Sequence, residues 1–203
     1  MPETTAATGH APLSLLALIE SVAESAPPEG LTLGALIDRL GERAFGTALF
    51  ALALPCCVPF LYLVPQIVAL PMAALTVQMA LGRAAPWLPE RLAKRVIATD
   101  GLAAMAKGGR KYFGWAEKLT RPRLGFLAGP TAERLVGLVM SMFCVSILLP
   151  VPMTNTVPGF GVALAAYGLM EKDGLLVLLG LVIGTVWIGG LITLALFGVS
   201  LFV

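Results

Sequence analysis

Charge is what this sequence has least of. Only 13% of its 203 residues are Asp, Glu, Lys or Arg, about half the share of an ordinary soluble domain. That coat is too thin for a water-soluble fold in which 58% of the residues are hydrophobic. Histidine is reduced to His10, in a polar stretch near the N-terminus, and the only cysteines are Cys56, Cys57 and Cys144, all in apolar surroundings. No zinc or iron ligand set can be assembled from these, so no metal and no cofactor is expected. The thiols read as small core hydrophobes. The chain also lacks G-x-S-x-G, a P-loop and H-E-x-x-H. Without a nucleophile, base and orienting group, it is not expected to be an enzyme. A net charge of +2 is too small for a nucleic-acid reader. The first twelve residues, MPETTAATGHAP, form a polar tail with one acid and no base, so no cleaved signal is expected.

What the chain does have is long uncharged runs. Residues 44–82, 135–170 and 174–203 contain no Asp, Glu, Lys or Arg. Each exceeds the roughly 20 residues that cross a bilayer core. The reading is an all-α integral membrane protein, with residues 13–203 as one membrane domain and the lipid bilayer as its first partner. Ahead of the first run, residues 13–25 place Leu15, Leu18, Ile19 and Val22 on one helical stripe. A second short helix, LTLGALIDRLGER, has Thr32 as its cap and Leu33, Leu36, Ile37 and Leu40 on its apolar face. Both are too charged to span and are expected at the interface or packed on the membrane domain.

Proline divides the first two runs. Pro55, Pro59, Pro65 and Pro71 fall within seventeen residues, and proline removes a backbone donor while clashing with the preceding turn. A piece of about 12–15 residues, a turn near 59–65 and a return piece of about 16 follow. At about 1.5 Å per residue the first piece reaches about 20 Å, short of a core of about 30 Å. A re-entrant hairpin fits better than two full spans, although tilt or bilayer thinning would rescue short spans. The second run has the same plan: an apolar piece over 135–149, a break at Pro150, Pro152 and Pro158, and a return over 159–170. The third run has no proline and is expected to cross outright.

Both breaks read V-P-x4-V-P, at 58–65 and 151–158. An internal repeat is expected, with halves at about 31–97 and 124–200. Eleven of the fourteen Lys and Arg residues lie between Arg83 and Arg134, so loop 83–134 is expected to be cytoplasmic. Trp87, Tyr112, Phe113 and Trp115 within it suit headgroup contact. Inverted halves would need a crossing hidden in residues 96–116, which are weakly apolar.

The segments LTLGALIDRLGERAFG, LALPCCVPF, LGRAAPWLPERLAKRV, WAEKLTRPR, LPVPMTNTVPGFGVALAAYGL and EKDGLL resemble the exopolysaccharide-synthesis ExoD family over about residues 12–200. The most specific pieces are W-L-P at 87–89, R-P-R at 121–123, P-V-P-M-T-N-T-V-P at 150–158 and K-D-G at 172–174. Phe60, Leu61 and Tyr62 depart from the smaller residues that the family has at the first turn. The resemblance implies a multi-pass protein of the bacterial inner membrane linked to exopolysaccharide production. It implies no defined molecular activity and no catalytic residues.

Two functional classes remain from the residues themselves. Where a helix breaks inside a bilayer, freed peptide groups must face protein, water or cargo. Paired half-helices then aim their ends at a shared point. A transporter-like or channel-like protein for a small polar solute, an ion or a lipid headgroup follows. Thr154, Asn155, Thr156, Gln78 and Asp173 are its candidate binding residues, and Pro55, Pro59, Pro65, Pro150, Pro152 and Pro158 shape its turns. The plainer readings are that the turn residues satisfy their own backbone, Gln78 bonds a neighbouring helix and Asp173 caps the last one. Arg121 and Arg123 read either as a headgroup or anion clamp or as ordinary interfacial anchors. The alternative function is a non-transporting partner of polysaccharide synthesis or export machinery, with Gly180, Gly184, Gly189 and Gly190 admitting another helix. A homo-oligomer is compatible with either.

Overall fold

A computed structural model describes residues 15–59, 61, 63–117, 120–149 and 154–200. These residues form nine α-helices, short 3-10 turns and one pair of two-residue strands. The first helix, α1, covers Leu15–Glu24. Leu31–Thr32 then pairs antiparallel with Val96–Ile97. Thr32 caps α2 (Leu33–Leu40) by accepting a hydrogen bond from the Ala35 N–H at 3.2 Å. A 3-10 turn at Gly41–Arg43 leads directly into α3 (Ala44–Ala53), and a second at Leu54–Cys57 ends it. The short helix and the first apolar piece expected from sequence are thus one helical run, Leu33–Cys57. Its charges, Asp38 to Arg43, mark the end that leaves the apolar layer. The remaining helices are α4 (Val64–Ala80), α5 (Glu90–Ala93), α6 (Thr99–Glu117), α7 (Pro130–Leu148), α8 (Thr156–Met170) and α9 (Gly174–Ser200).

Four helices close a ring. α3 packs on α4 and α8, α7 packs on the same two, and α9 covers α8 and α7. Lipid is as apolar as Leu, so close contact rather than water exclusion must hold such helices together. Small residues supply it. Gly137 on α7 leaves no room for a Cβ, which would lie 2.7 Å from the Ala80 nitrogen and 2.8 Å from the Thr76 oxygen of α4. On the other side, a Cβ on Gly46 of α3 would lie 2.9 Å from the Ala166 oxygen of α8. α8 carries Gly159, Gly161, Ala163, Ala165, Ala166 and Gly168, all buried, and forms the centre of the molecule. It is only about 22 Å long. Its neighbours, rather than lipid, surround it.

The outer surface is as apolar as the core. Along α7, Val136, Met140, Phe143, Cys144 and Ile147 are buried, while Leu135, Leu138, Met142 and Val145 are exposed. A helix apolar on every side suits a membrane rather than water. Three helical segments are long and apolar enough to cross one: Leu33–Cys57, Thr131–Leu148 and Gly174–Phe197. The amphipathic helices α1 and α6 pack on each other, and with α2 they build a second core from Val22, Leu31, Leu36, Leu40 and Leu102 against Tyr167 and Met170. Residues 96–116, where a hidden crossing would have been needed, are thus taken up mainly by α6 on this peripheral layer.

One cavity fixes the orientation. Glu42, Gly82, Arg83, Glu133, Arg134 and Lys172 all line it. They stand at the start of α3, the end of α4, the start of α7 and the end of α8. All four outer ends therefore share one face, and the two chain reversals, between Cys57 and Val64 and between Leu148 and Thr156, lie at the opposite end. Both helix pairs run the same way up.

Candidate functional site

The residues singled out in the sequence separate into two groups. Thr154, Asn155 and Thr156 stand at the start of α8, at the reversal end. Gln78 and Asp173 stand at the charged face, with the length of α8 between. Pro55 opens the 3-10 turn after α3, Pro59 is exposed in the first reversal, Pro65 is buried in the first turn of α4 and Pro158 is buried in the first turn of α8. Pro150 and Pro152 lie outside the described residues.

The reversal end holds unsatisfied polar groups. Asn155 precedes α8 with helical backbone angles, and its side chain makes no capping bond. It is 9% exposed, and its Oδ1 is buried with no hydrogen-bond partner. Gln66, third residue of α4, buries an Oε1 in the same condition. The indole Nε1 of Trp187 on α9 is a buried donor without a partner. Trp187 shares a cavity of about 510 Å³ with Val157, in the first turn of α8, so it stands at the level of Asn155. A buried polar atom left unpaired costs about 1–3 kcal/mol. Such groups collect where a ligand or water completes them.

At the charged face the two candidates, Asp173 and Gln78, have their bonds. Asp173 is 2% exposed, its Oδ1 accepting from the Leu175 N–H and its Oδ2 from the Arg121 N–H, both at 3.1 Å. The Gly174 N–H donates to the Arg123 carbonyl at 2.8 Å. Asp173 thus caps α9 and ties the R-P-R backbone to it, leaving the Arg121 and Arg123 side chains exposed. Gln78 accepts from the Trp87 N–H at 2.6 Å and donates to the Trp87 carbonyl at 3.3 Å, holding the loop after α4. Of the glycines offered to a partner helix, Gly180 and Gly184 are spent internally against Gly161, Ala165 and Phe143, while Gly189 and Gly190 face open space.

Sequence reasoning passed over Gln66 and Trp187. A glutamine directly after Pro65 inside an uncharged run was the available signal for the first. It also passed over E-R-x-x-G, which occurs at 42–46 and again at 133–137. Its glycines are the two close-contact residues of α3 and α7, and both of its glutamates line the charged cavity.

The fold and its apolar exterior define a class: an all-helical chain with three helices long and apolar enough to cross a membrane. The family described as "Exopolysaccharide synthesis, ExoD" matches residues 15–193, and this chain belongs to it. Protein ExoD of Rhizobium meliloti (strain 1021) is 31% identical over 152 residues, which cover 72% of this chain and 63% of that protein. An uncharacterized protein of Synechocystis, slr1875, is 28% identical over 145 residues, covering 70% of this chain and 68% of that one. The match thus spans just under two thirds of the Rhizobium relative's length. No solved structure matches.

Proposed function

We propose that this protein is a polytopic membrane protein of transporter-like or channel-like design, in which a small polar solute or ion meets the starts of α4 and α8 between two re-entrant helix pairs. The observation that carries the reading is the buried, unpartnered Asn155 Oδ1, with Gln66 Oε1 in the matching helix. Acceptor oxygens without donors suit a ligand that brings N–H or O–H groups, or a cation. Its role in exopolysaccharide production would be to move such a species, and no chemical step is assigned to it.

Two features support the re-entrant geometry. Gly184 of α9 abuts Phe143 of α7, so α7 ends level with a residue about five positions further along α9. Roughly ten more uncharged residues of α9 continue past that level, about 15 Å of helix. The reversals then fall inside the apolar layer that α9 crosses. An internal duplication accounts for the paired geometry: E-R-x-x-G recurs 91 residues apart, and its glycines meet equivalent partners on α4 and α8. The charged face is cytoplasmic on this reading, because eleven of the fourteen Lys and Arg residues lie between Arg83 and Arg134.

Flux in proteoliposomes loaded with inorganic cations or small polyols tests the function. Asn155→Leu, made beside Gln66→Leu, is expected to abolish flux at normal protein level. Silence of the unmodified protein across these solutes would favour the non-transporting partner. Single cysteines at Lys107 and Leu61, in a cysteine-free background, test the topology. Labelling of Leu61 from the outer side by a bulky, impermeant reagent would defeat the re-entrant reading.

A further inference from the structure

The charged cavity is a second site, independent of the reversal end. It encloses about 430 Å³ and is lined by Arg83, Arg134, Lys172, Glu42 and Glu133, with Gly82, Gly125 and Gly129 as bare backbone. Three cations face two carboxylates, and one pair is already made: Lys172 Nζ lies 3.0 Å from Glu42 Oε2. Arg83 and Arg134 form no ion pair among the described residues, although Glu133 shares the cavity with them. Arg134 is seated deliberately. Its guanidinium lies over Gly82, where any Cβ would meet Nε at 2.4 Å. Gly82 has φ +77°, a conformation that itself favours glycine. Gly129 leads into α7, whose first-turn N–H groups have no intrahelical acceptor and carry the positive end of the helix dipole.

We propose that this cavity binds an oxyanion of the phosphate type, held by Arg83 and Arg134, with Lys172 as a third cation and the α7 N-terminus behind them. Two unpaired guanidinium forks match a tetrahedral oxyanion by paired hydrogen bonds, where lysine alone would offer a point charge. The volume admits a phosphate with a substituent attached, and exposed Leu81 and Leu135 beside the cavity place it at the rim of the apolar layer. Free phosphate and the phosphate of a lipid headgroup present the same chemistry here.

Thermal unfolding of the full chain in detergent, at fixed ionic strength, separates the two. One arm titrates inorganic phosphate against chloride. The other adds phosphatidic acid to the micelles, with phosphatidylcholine as the zwitterionic control. A ligand that binds the folded state alone raises the midpoint with its concentration. At least one anion is expected to do so, with apparent affinity falling at least tenfold in Arg83→Gln and in Arg134→Gln. Arg91→Gln, exposed on α5 outside the cavity, is expected to bind as the unmodified protein does. A response to phosphatidic acid alone assigns the headgroup, and a response to phosphate in its own arm assigns the soluble ion. No response in either arm, or a response undiminished in both glutamine variants, overturns the site. If Arg134→Gln fails to fold, the exposed Arg83→Gln decides alone. Asn155→Leu is expected to leave this binding intact, so failure at one end is distinguishable from failure at the other.

Discussion

The two central helix pairs share an outline and differ at their tips. In the first, Val58, Leu61 and Leu63 are exposed and apolar. In the second, Asn155 is buried, polar and unpaired, and it leads into a helix sheathed on nearly every side by protein. The first tip is built to meet apolar surroundings and the second to meet something polar within the molecule. The halves are also held differently. Both contacts are with backbone, but that of Gly137 is the tighter: a Cβ there would meet the Ala80 nitrogen at 2.7 Å and the Thr76 oxygen at 2.8 Å, and one on Gly46 the Ala166 oxygen at 2.9 Å and the Met170 nitrogen at 3.3 Å.

That difference gives the largest expected effect. Gly137→Ala drives a methyl into peptide atoms that cannot retreat without moving α4, at a cost of about 3 kcal/mol, the upper range for overpacking. Gly46→Ala is expected to cost less, about 2 kcal/mol, because its backbone contacts are longer although the Ala166 oxygen at 2.9 Å must still give. Unfolding midpoints of the two variants in one detergent measure the gap. Equal losses would show that the pairs are held alike.

The outer ends offer the next test. α8 ends at Asp173, which satisfies the start of α9 and the Arg121 amide at once. Past the end of α4, Gly82 and Arg83 share a cavity with Glu42 and Glu133, and among the described residues neither carboxylate forms an ion pair with Arg83. Asp173→Ala removes two charge-assisted bonds and is expected to cost about 2 kcal/mol. Asp173→Asn keeps an acceptor for the cap and should recover part of that. A full loss in both variants would mean that the charge itself, rather than the cap, matters there.

At the tips the sign reverses. Asn155→Leu removes a buried acceptor that nothing satisfies, so stability is expected to rise by about 1 kcal/mol while the proposed flux is lost. Leu61→Asn in the exposed first tip is expected to leave both nearly unchanged. Destabilisation by Asn155→Leu would reveal a bond that the folded chain makes at that oxygen, and the case for a ligand there would weaken.

Much of this was legible in the sequence because the bilayer imposes coarse rules. Uncharged runs, prolines and the basic block at 83–134 mark the helices, the chain reversals and the charged face, and Thr32 caps α2 as its position suggests. What sequence could not supply was pairing across the ring. Gln78 and Asn155 look alike in composition, each an amide in an apolar run. Only the fold shows that one ties down a loop at the charged face while the other hangs unpaired at the far end. Length was misleading too. The first apolar piece looked too short to cross, yet it continues α2 in one helical run, Leu33–Cys57, that is long enough. E-R-x-x-G was readable twice over, yet its meaning depends on glycine contacts that belong to partners distant in the chain.

The smallest effect separates this close-packed centre from the peripheral layer, where charge replaces contact. α1 is held to α6 in part by Arg110, which donates through Nε and Nη2 to both oxygens of Glu20. That hydrogen bonding, chiefly, holds the Glu20 carboxyl below its ordinary range, with the charge of Arg110 adding to it and slight desolvation opposing it. A carboxyl lowered in the folded state adds stability that is fully present above its unfolded value and is lost as pH falls through the folded value. The pair is exposed and screened, so the change is small. Amide exchange of residues 15–24, corrected for intrinsic rates, is expected to quicken between pH 6 and pH 3, on the order of the window that a lowered carboxylate defines. The ring helices should show no such change. In Glu20→Gln the α1 amides should exchange faster at pH 6 and lose the acid-dependent step. A step of equal size in the variant would assign the acid sensitivity to another carboxylate and leave α1 held by its apolar stripe alone.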